Sequence, residues 1–246
     1  MNAARGWRWA AYAAGVAVLM FALWSLLWLV ADLSAFRARA WAETWSHQAQ
    51  QAAARGASYA PRQQDWSVAQ AHAERAVRLS PANADYHELL GVIHELRHPL
   101  ADIGDETARP DREQALLHFR AAIERRPTWP YVRARLAYAL VRLDRVDAEL
   151  ESTLAEAARL GPWEPPVMLA IVDIGLDSWF RLSPAGRQVV SDTLVRSQSW
   201  AAGGRGQKHG DMVWERVQAH RKQALACSLL PMNDERNRRI CHPDNW

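Results

Sequence analysis

Apolar positions along the chain recur in two ways. From Ala10 to Ala31 they form an unbroken run, "AAYAAGVAVLMFALWSLLWLVA", 22 residues with no charge and one serine. From Gln64 to about Trp200 they return at i, i+3, i+4 and i+7, the signature of amphipathic helices, and no segment alternates with a period of two. Breaks fall at Ser80–Pro81, Pro99 to Pro110, Pro127 to Pro130, Gly161 to Pro166 and Ser183–Pro184. Several of these prolines stand where a helix starts, where a missing amide hydrogen is tolerated. Asp32 to Arg55 reads as a helix that prolongs the apolar run, and Gly56 to Pro61 breaks it. Ala201 to Gly210, "AAGGRGQKHG", reads as a linker. Asp211 to Leu229 reads as a last helix with Asp211 as its N-cap, and the residues from there to Trp246 read as loop. The fold class is therefore all-α.

The apolar run is long enough to cross a bilayer as one helix, which takes about 20 apolar residues. Trp7, Trp9 and Trp28 stand near its ends, where aromatic belts form. A cleaved signal peptide has a shorter apolar region of about 7–15 residues, so the run reads as an uncleaved anchor. Arg5 and Arg8 precede it; Arg37 and Arg39 follow it, beside Asp32 and Glu43. The arginine count ties, and the α-amino group tips the balance toward an N-terminus in the cytoplasm. The resulting division is a short cytoplasmic tail at 1–9, a transmembrane helix at 10–31, a juxtamembrane helix at 32–60, a helical array at 64–200, and a linker, C-terminal helix and cysteine-containing tail at 201–246. The expected location is a bacterial inner membrane, crossed once, with the helical domain in the periplasm.

The helical region repeats itself. Ala76, Ala73 and Ala69 lie 5, 8 and 12 residues before Pro81, and Ala122, Phe119 and Ala115 lie at the same offsets before Pro127. Ala157, Leu154 and Leu150 keep those offsets before Pro162. The pattern resembles the second helix of the tetratricopeptide repeat, with its alanine, aromatic, alanine and proline positions. The corresponding first helices place Leu90–Gly91 and Leu136–Ala137 at the leucine–glycine position, with His87 and Arg133 where the repeat carries tryptophan. Pro81 to Pro127 is 46 residues rather than the usual 34. The extra 12 are the insertion "PLADIGDETARP", Pro99 to Pro110. A fourth, degenerate pair follows Pro165. The resemblance implies a stack of helical hairpins whose concave face holds a partner.

Composition adds little and excludes something. Hydrophobic residues make up 49% and charged residues 23% of 246, with a formal net charge of +3. Arginines and acids alternate, and even the densest basic cluster, Arg236, Arg238 and Arg239, is diluted by Asp234 and Glu235. No basic block of the kind that tracks nucleic acid is present. Cys227 and Cys241 are the two cysteines, and a close pair in an exported domain is expected to form a disulfide.

One sequence points to catalysis. "HELRH", His94 to His98, matches the HExxH pattern, in which two histidines one helical turn apart bind zinc and the glutamate serves as general base. Pro99 ends the helix at the second histidine, and no third ligand has a supporting motif. "GGRG", Gly203 to Gly206, lacks the lysine and hydroxyl of a phosphate loop. No cofactor and no enzymatic activity are expected, with a zinc hydrolase using His94, Glu95 and His98 as the alternative. The better binding candidate is a stripe. Tyr131, Arg135, Tyr138 and Arg142 recur at i, i+4, i+7 and i+11 on one helical face, and Asp173 and Asp177 occupy the equivalent face of the next pair. Tyrosine and arginine are prominent among residues that carry interface energy. They also stack on and hydrogen-bond sugars, so a periplasmic carbohydrate-binding module is a third reading.

The layout has a specific likeness. The single span, the short array, the run "RRPTWPYVRARLAYALVRLDRVDAELESTLAEAARLGPWEPPVMLAIVDIGL" (Arg125 to Leu176) and the two-cysteine tail resemble VpsP-type proteins, encoded among bacterial exopolysaccharide biosynthesis genes. Trp129 to Tyr131, "WPY", and Leu160 to Pro165, "LGPWEP", carry most of it. The resemblance implies a role in making or exporting a surface polysaccharide. With the anchor and the array, the expected function is a non-catalytic scaffold that binds proteins of that machinery and is held in lipid by residues 10–31.

Overall fold

The computed structural model describes residues 2–202, 204 and 206–242, and the side chains of residues 2–6, 8–11 and 202 are outside that description. Arg5, Arg8 and Trp9 therefore lie outside the described side chains, and the tail at 243–246, with Gly203 and Arg205, outside the described residues. Eleven helices and no strand occur among the described residues. The chain divides into two compact units, residues 1–100 and 101–246. The boundary falls inside the segment read above as one array.

The first unit is built on α1 (Asn2–Ala54), a single helix of 53 residues, about 80 Å at 1.5 Å per residue. Its apolar part is fully exposed, and it is long and apolar enough to cross a membrane, with a mean hydropathy of 2.2 over its best window. The character of the helix then changes without a break. Ala31, Ala35, Ala38, Ala42, Trp45 and Ala49 are buried, at spacings of 4, 3, 4, 3 and 4 that define one seam. Facing the seam is α2 (Gln63–Leu79), which buries Trp66, Ala69, Ala73 and Ala76. At the alanine positions neither helix presents a side chain longer than a methyl group, which lets the two approach closely; Trp45 and Trp66 are the large side chains of the two faces.

The third helix, α3 (Ala84–Glu95), packs on both. It is N-capped by Asn83, whose side chain accepts from the amide of Asp85 at 2.9 Å. Trp66 Nε1 donates to the carbonyl of Ile93 at 2.8 Å, and Tyr86 donates to Asp32 at 2.5 Å. α1 is thereby tied to α3 at Asp32, the residue that directly follows its apolar run.

The second unit contains α4 (Arg109–Arg125), α5 (Pro130–Arg142), α6 (Ala148–Leu160), α7 (Pro165–Asp177), α8 (Pro184–Ala202), α9 (Gln207–Ala219), α10 (Gln223–Leu229) and α11 (Glu235–Ile240). The proline starts of α5, α7 and α8 follow the rule that proline costs least in the first turn. α5 packs on α4, α6 and α7; α7 packs on α6, α8 and α9; α8 packs on α6 and α9. The nine positions of the three triplets that precede Pro81, Pro127 and Pro162, from Ala69 to Ala157, are completely buried. The two residues at the tryptophan position share a further feature. His87 hydrogen-bonds the carbonyl of Pro81 at 3.0 Å, and Arg133 donates to the carbonyl of Pro127 at 3.0 Å. In each case the side chain reaches back six residues and satisfies a carbonyl at the turn.

The insertion from Pro99 to Pro110 is ordered by one arginine. Arg112, 2% exposed, donates to the carbonyls of Ala101, Asp102 and Arg142. Asp105 turns the loop by accepting from the amides of Thr107 and Ala108. Gly104, at φ +75°, donates its amide to the same Arg142 carbonyl. A buried guanidinium thus satisfies loop carbonyls and one orphan carbonyl at the end of α5 together.

The C-terminal region differs from the sequence reading. Helix α9 begins at Gln207, so Asp211 lies inside it and is no N-cap; its carboxylate pairs with Arg236 at 2.7 Å. The helix expected to run to Leu229 breaks at Arg221, which adopts φ +53°, and resumes as α10. Cys227 and Cys241 are joined as a disulfide, Cα–Cα 5.6 Å, tying α10 to the end of α11.

Candidate functional site

The stripe on α5 reaches α7 and its N-cap through its two tyrosines. Its phase along the helix is set by the buried positions between its members, Val132, Leu136 and Ala139. The hydroxyl of Tyr131 donates to the carboxylate of Glu164, and that of Tyr138 donates to Asp173 Oδ2 at 2.8 Å. Tyr138 is half-buried, while Arg135 is exposed. The carbonyl of Arg142 is taken by Arg112 and Gly104.

Asp173, whose side chain is 19% exposed, gathers several donors. Besides Tyr138, its Oδ1 meets His220 Nε2 at 2.9 Å and lies 3.9 Å from Arg216 Nε. His220 Nδ1 is 3.8 Å from Asp177 Oδ1. Tyr138, Asp173 and Asp177 are thus brought together, while Tyr131 pairs separately with Glu164. The sequence did not assign Arg216 to any site, nor His220 to this cluster. A signal existed: Arg216 and His220 are one turn apart on α9, opposite Asp173 and Asp177, one turn apart on α7.

The electrostatics follow from this geometry. Burial raises the Asp173 carboxyl, but the hydrogen bonds from His220 and Tyr138 and the charge of Arg216 outweigh it, and the net shift is downward. The hydrogen bond to Asp173 raises His220 above the ordinary imidazole range; burial opposes, and the charges of Asp173 and Asp177 assist. Burial, then the charge and hydrogen bond of Asp173, push the Tyr138 phenol far up. A carboxylate stabilised in its charged form by several donors is a poor general base, and a phenol with a raised pKa is a poor acid. The cluster is a latch: a charge-assisted polar joint holding α5, α7 and the C-terminal end of α9 together.

The HELRH segment does not form the helical pair that zinc binding requires. Helix α3 ends at Glu95, and Leu96 and Arg97 already form a turn. His94 and His98 therefore do not share one helical face. His94 is 6% exposed and meets Trp66 edge-on, ring centroids 5.8 Å apart. No group of three or more histidine, cysteine, aspartate or glutamate side chains able to hold a metal ion occurs among the described residues. In the GGRG segment, the described Gly204 and Gly206 precede α9 without a strand before them.

No protein-family model matches the chain, and no curated protein matches it.

Proposed function

We propose that the chain is a non-catalytic, membrane-anchored scaffold of the bacterial cell envelope, working in the synthesis or export of a surface polysaccharide. The carrying observation is α1, whose exposed apolar segment runs without a hinge into the alanine seam of the first unit. A helix of that kind, embedded in lipid, holds its domain at a fixed height above the bilayer instead of on a flexible tether. Confinement near membrane partners raises their effective concentration without demanding high affinity.

Three further features favour the reading. The Cys227–Cys241 disulfide suits a domain exported to an oxidising compartment. The buried triplets and proline-started helices suit tetratricopeptide-like hairpins, a scaffold architecture. The VpsP-type likeness of Arg125 to Leu176 supplies the polysaccharide context. In this reading the span is residues 10–31, the N-terminus is cytoplasmic and the chain after the span is periplasmic. Partners dock on the outer part of the α5 stripe, through Tyr131 and Arg135, with Arg142 and Asp177 at its far end. Tyr138 and Asp173 position that surface instead of touching the partner.

The test is site-specific photocrosslinking in cells, with a benzophenone amino acid at Arg135 and, as control, at the exposed Val68 of α2. The proposal expects adducts to envelope polysaccharide proteins from position 135 and none from position 68. Equal patterns at both positions, or adducts to unrelated abundant proteins alone, reject it.

A further inference from the structure

Where α8 turns into α9, four side chains form a ladder. Arg196 lies over the ring of Trp163 at 5.8 Å. Trp163 meets Trp200 edge-on at 6.2 Å. Trp200 stacks on His209, centroids 5.5 Å apart and planes 2° apart. Gly206 makes the stack possible, since a Cβ there would come within 2.4 Å of the Trp200 indole. Trp163 is 55% exposed.

Beside the ladder is a cavity of about 320 Å³, walled by Pro165, Pro166 and Leu169 of α7 and by Lys208, His209 and Met212 of α9. A wider cleft of about 650 Å³ shares Lys208, His209 and Met212 with it and carries the acids Asp211 and Glu215. Neither acid lines the smaller cavity, and Asp211 is engaged by Arg236 at 2.7 Å. The smaller cavity thus has apolar walls and two polar side chains, Lys208 and His209. A largely apolar pocket of this size with a few convergent polar groups is how small-molecule sites are built.

Two observations make the polar end receptive to an anion. His209 lines the cavity, and its ring is held in place by the stack on Trp200. Helix α9 begins at Gln207 with no side chain capping its first turn, so orphan amides and the positive end of the helix dipole stand beside Lys208 and His209.

We propose that this cavity binds a small organic anion with a flat apolar body. Pro165, Pro166, Leu169 and Met212 take the apolar part. Lys208, the His209 imidazole and the first amides of α9 take a carboxylate, sulfonate or phosphate group. The site is independent of the scaffold reading and of the α5 stripe.

The test uses the full chain in lipid nanodiscs, labelled with ¹³C-methyl methionine and titrated with 2-naphthoate. The chain has five methionines, assigned by single leucine substitutions. Met212 reports the cavity, Met168, buried in the core, reports the fold, and Met20 reports the apolar run. The expected result is a saturable shift of the Met212 methyl with Met168 unmoved. Binding weakens at least tenfold in Lys208→Glu, and the uncharged isostere 2-naphthamide binds the native protein at least tenfold more weakly. A Met212 methyl that stays still to millimolar naphthoate overturns the proposal. So does equal affinity for acid and amide, or a response confined to Met20, which is partition into the bilayer.

Discussion

At the scale of single residues, His220 is the side chain whose chemistry most affects the fold. It faces Asp173 and Asp177 of α7, with Arg216 on its own helix and Tyr138 of α5 behind the carboxylate. Its pKa is raised in the folded state, chiefly by the bond to Asp173. Its contribution is therefore fully present below the unfolded imidazole pKa of about 6.5 and is lost as pH rises through the higher folded value. Asp173 runs the other way: its folded pKa is depressed, so its contribution exists above about pH 4 and disappears as acid titrates it. We predict that His220→Gln lowers stability by about 2 kcal/mol at pH 6, the scale of one hydrogen bond to a charged group. The native–variant difference in Tm shrinks steadily by pH 9. A difference constant from pH 6 to 9 would show that the imidazolium is not what stabilises the joint. Gly175 tests packing in the same way. A Cβ there meets Val190 at 2.2 Å, so Gly175→Ala is expected to cost about 1–3 kcal/mol by overpacking. Adding Val190→Ala should return part of that loss, because it removes the clashing methyls, whereas additive destabilisation would place the cost elsewhere.

At the scale of helices, α1 and α2 show what alanine does when it lines both sides of a contact. Ala38 and Ala73 are buried to 0%. We predict that Ala38→Leu destabilises the first unit by about 1–3 kcal/mol, while Ala40→Leu, on the exposed side of the same turn, changes thermal unfolding little. Equal effects would mean that the seam does not hold the pair. This seam went unread because alanine is a weak marker of burial. The proline-bounded helices α5 and α7 and the triplets from Ala69 to Ala157 were legible, since proline, glycine and a 3.6-residue period act locally. The latch was not, because His220 and Asp173 are 47 residues apart and only folding brings them together. The break between α9 and α10 was missed because it rests on Arg221 in a left-handed conformation, where glycine or asparagine would have signalled it. The short helices α10 and α11 depend on their covalent tie. Cys227 and Cys241 are 14 residues apart, and a loop of that size is worth about 3 kcal/mol of unfolded-state entropy. Cys241→Ser should raise amide exchange across residues 223–240 before it affects α5 or α7.

At the scale of the whole molecule, the proposal makes two separable claims: that the apolar run is inserted in a membrane, and that the chain after it lies on the periplasmic side. In the proposed topology the apolar part of α1 and the alanine seam belong to one helix but answer to different solvents, so they can be perturbed separately. Arginine at the centre of a span costs about 3 kcal/mol. Leu23→Arg with Leu26→Arg together therefore weakens insertion by about four powers of ten. Both positions are exposed, upstream of the seam, so the seam should survive. We predict that the doubly substituted chain is released from membranes by alkaline carbonate, while the native chain is retained. Retention of both would mean that something other than the apolar run attaches the protein. Sidedness is then read from the cysteines, which are the only two in the chain. A domain in the oxidising periplasm keeps its disulfide, whereas cytoplasmic reductants would open it. In cells treated with a membrane-permeant maleimide, the proposed topology leaves Cys227 and Cys241 unlabelled until a reductant is added after denaturation. Labelling of both before reduction would put the units in the cytoplasm, reverse the orientation inferred from the flanking arginines, and remove the disulfide from the forces holding α10 and α11 in place.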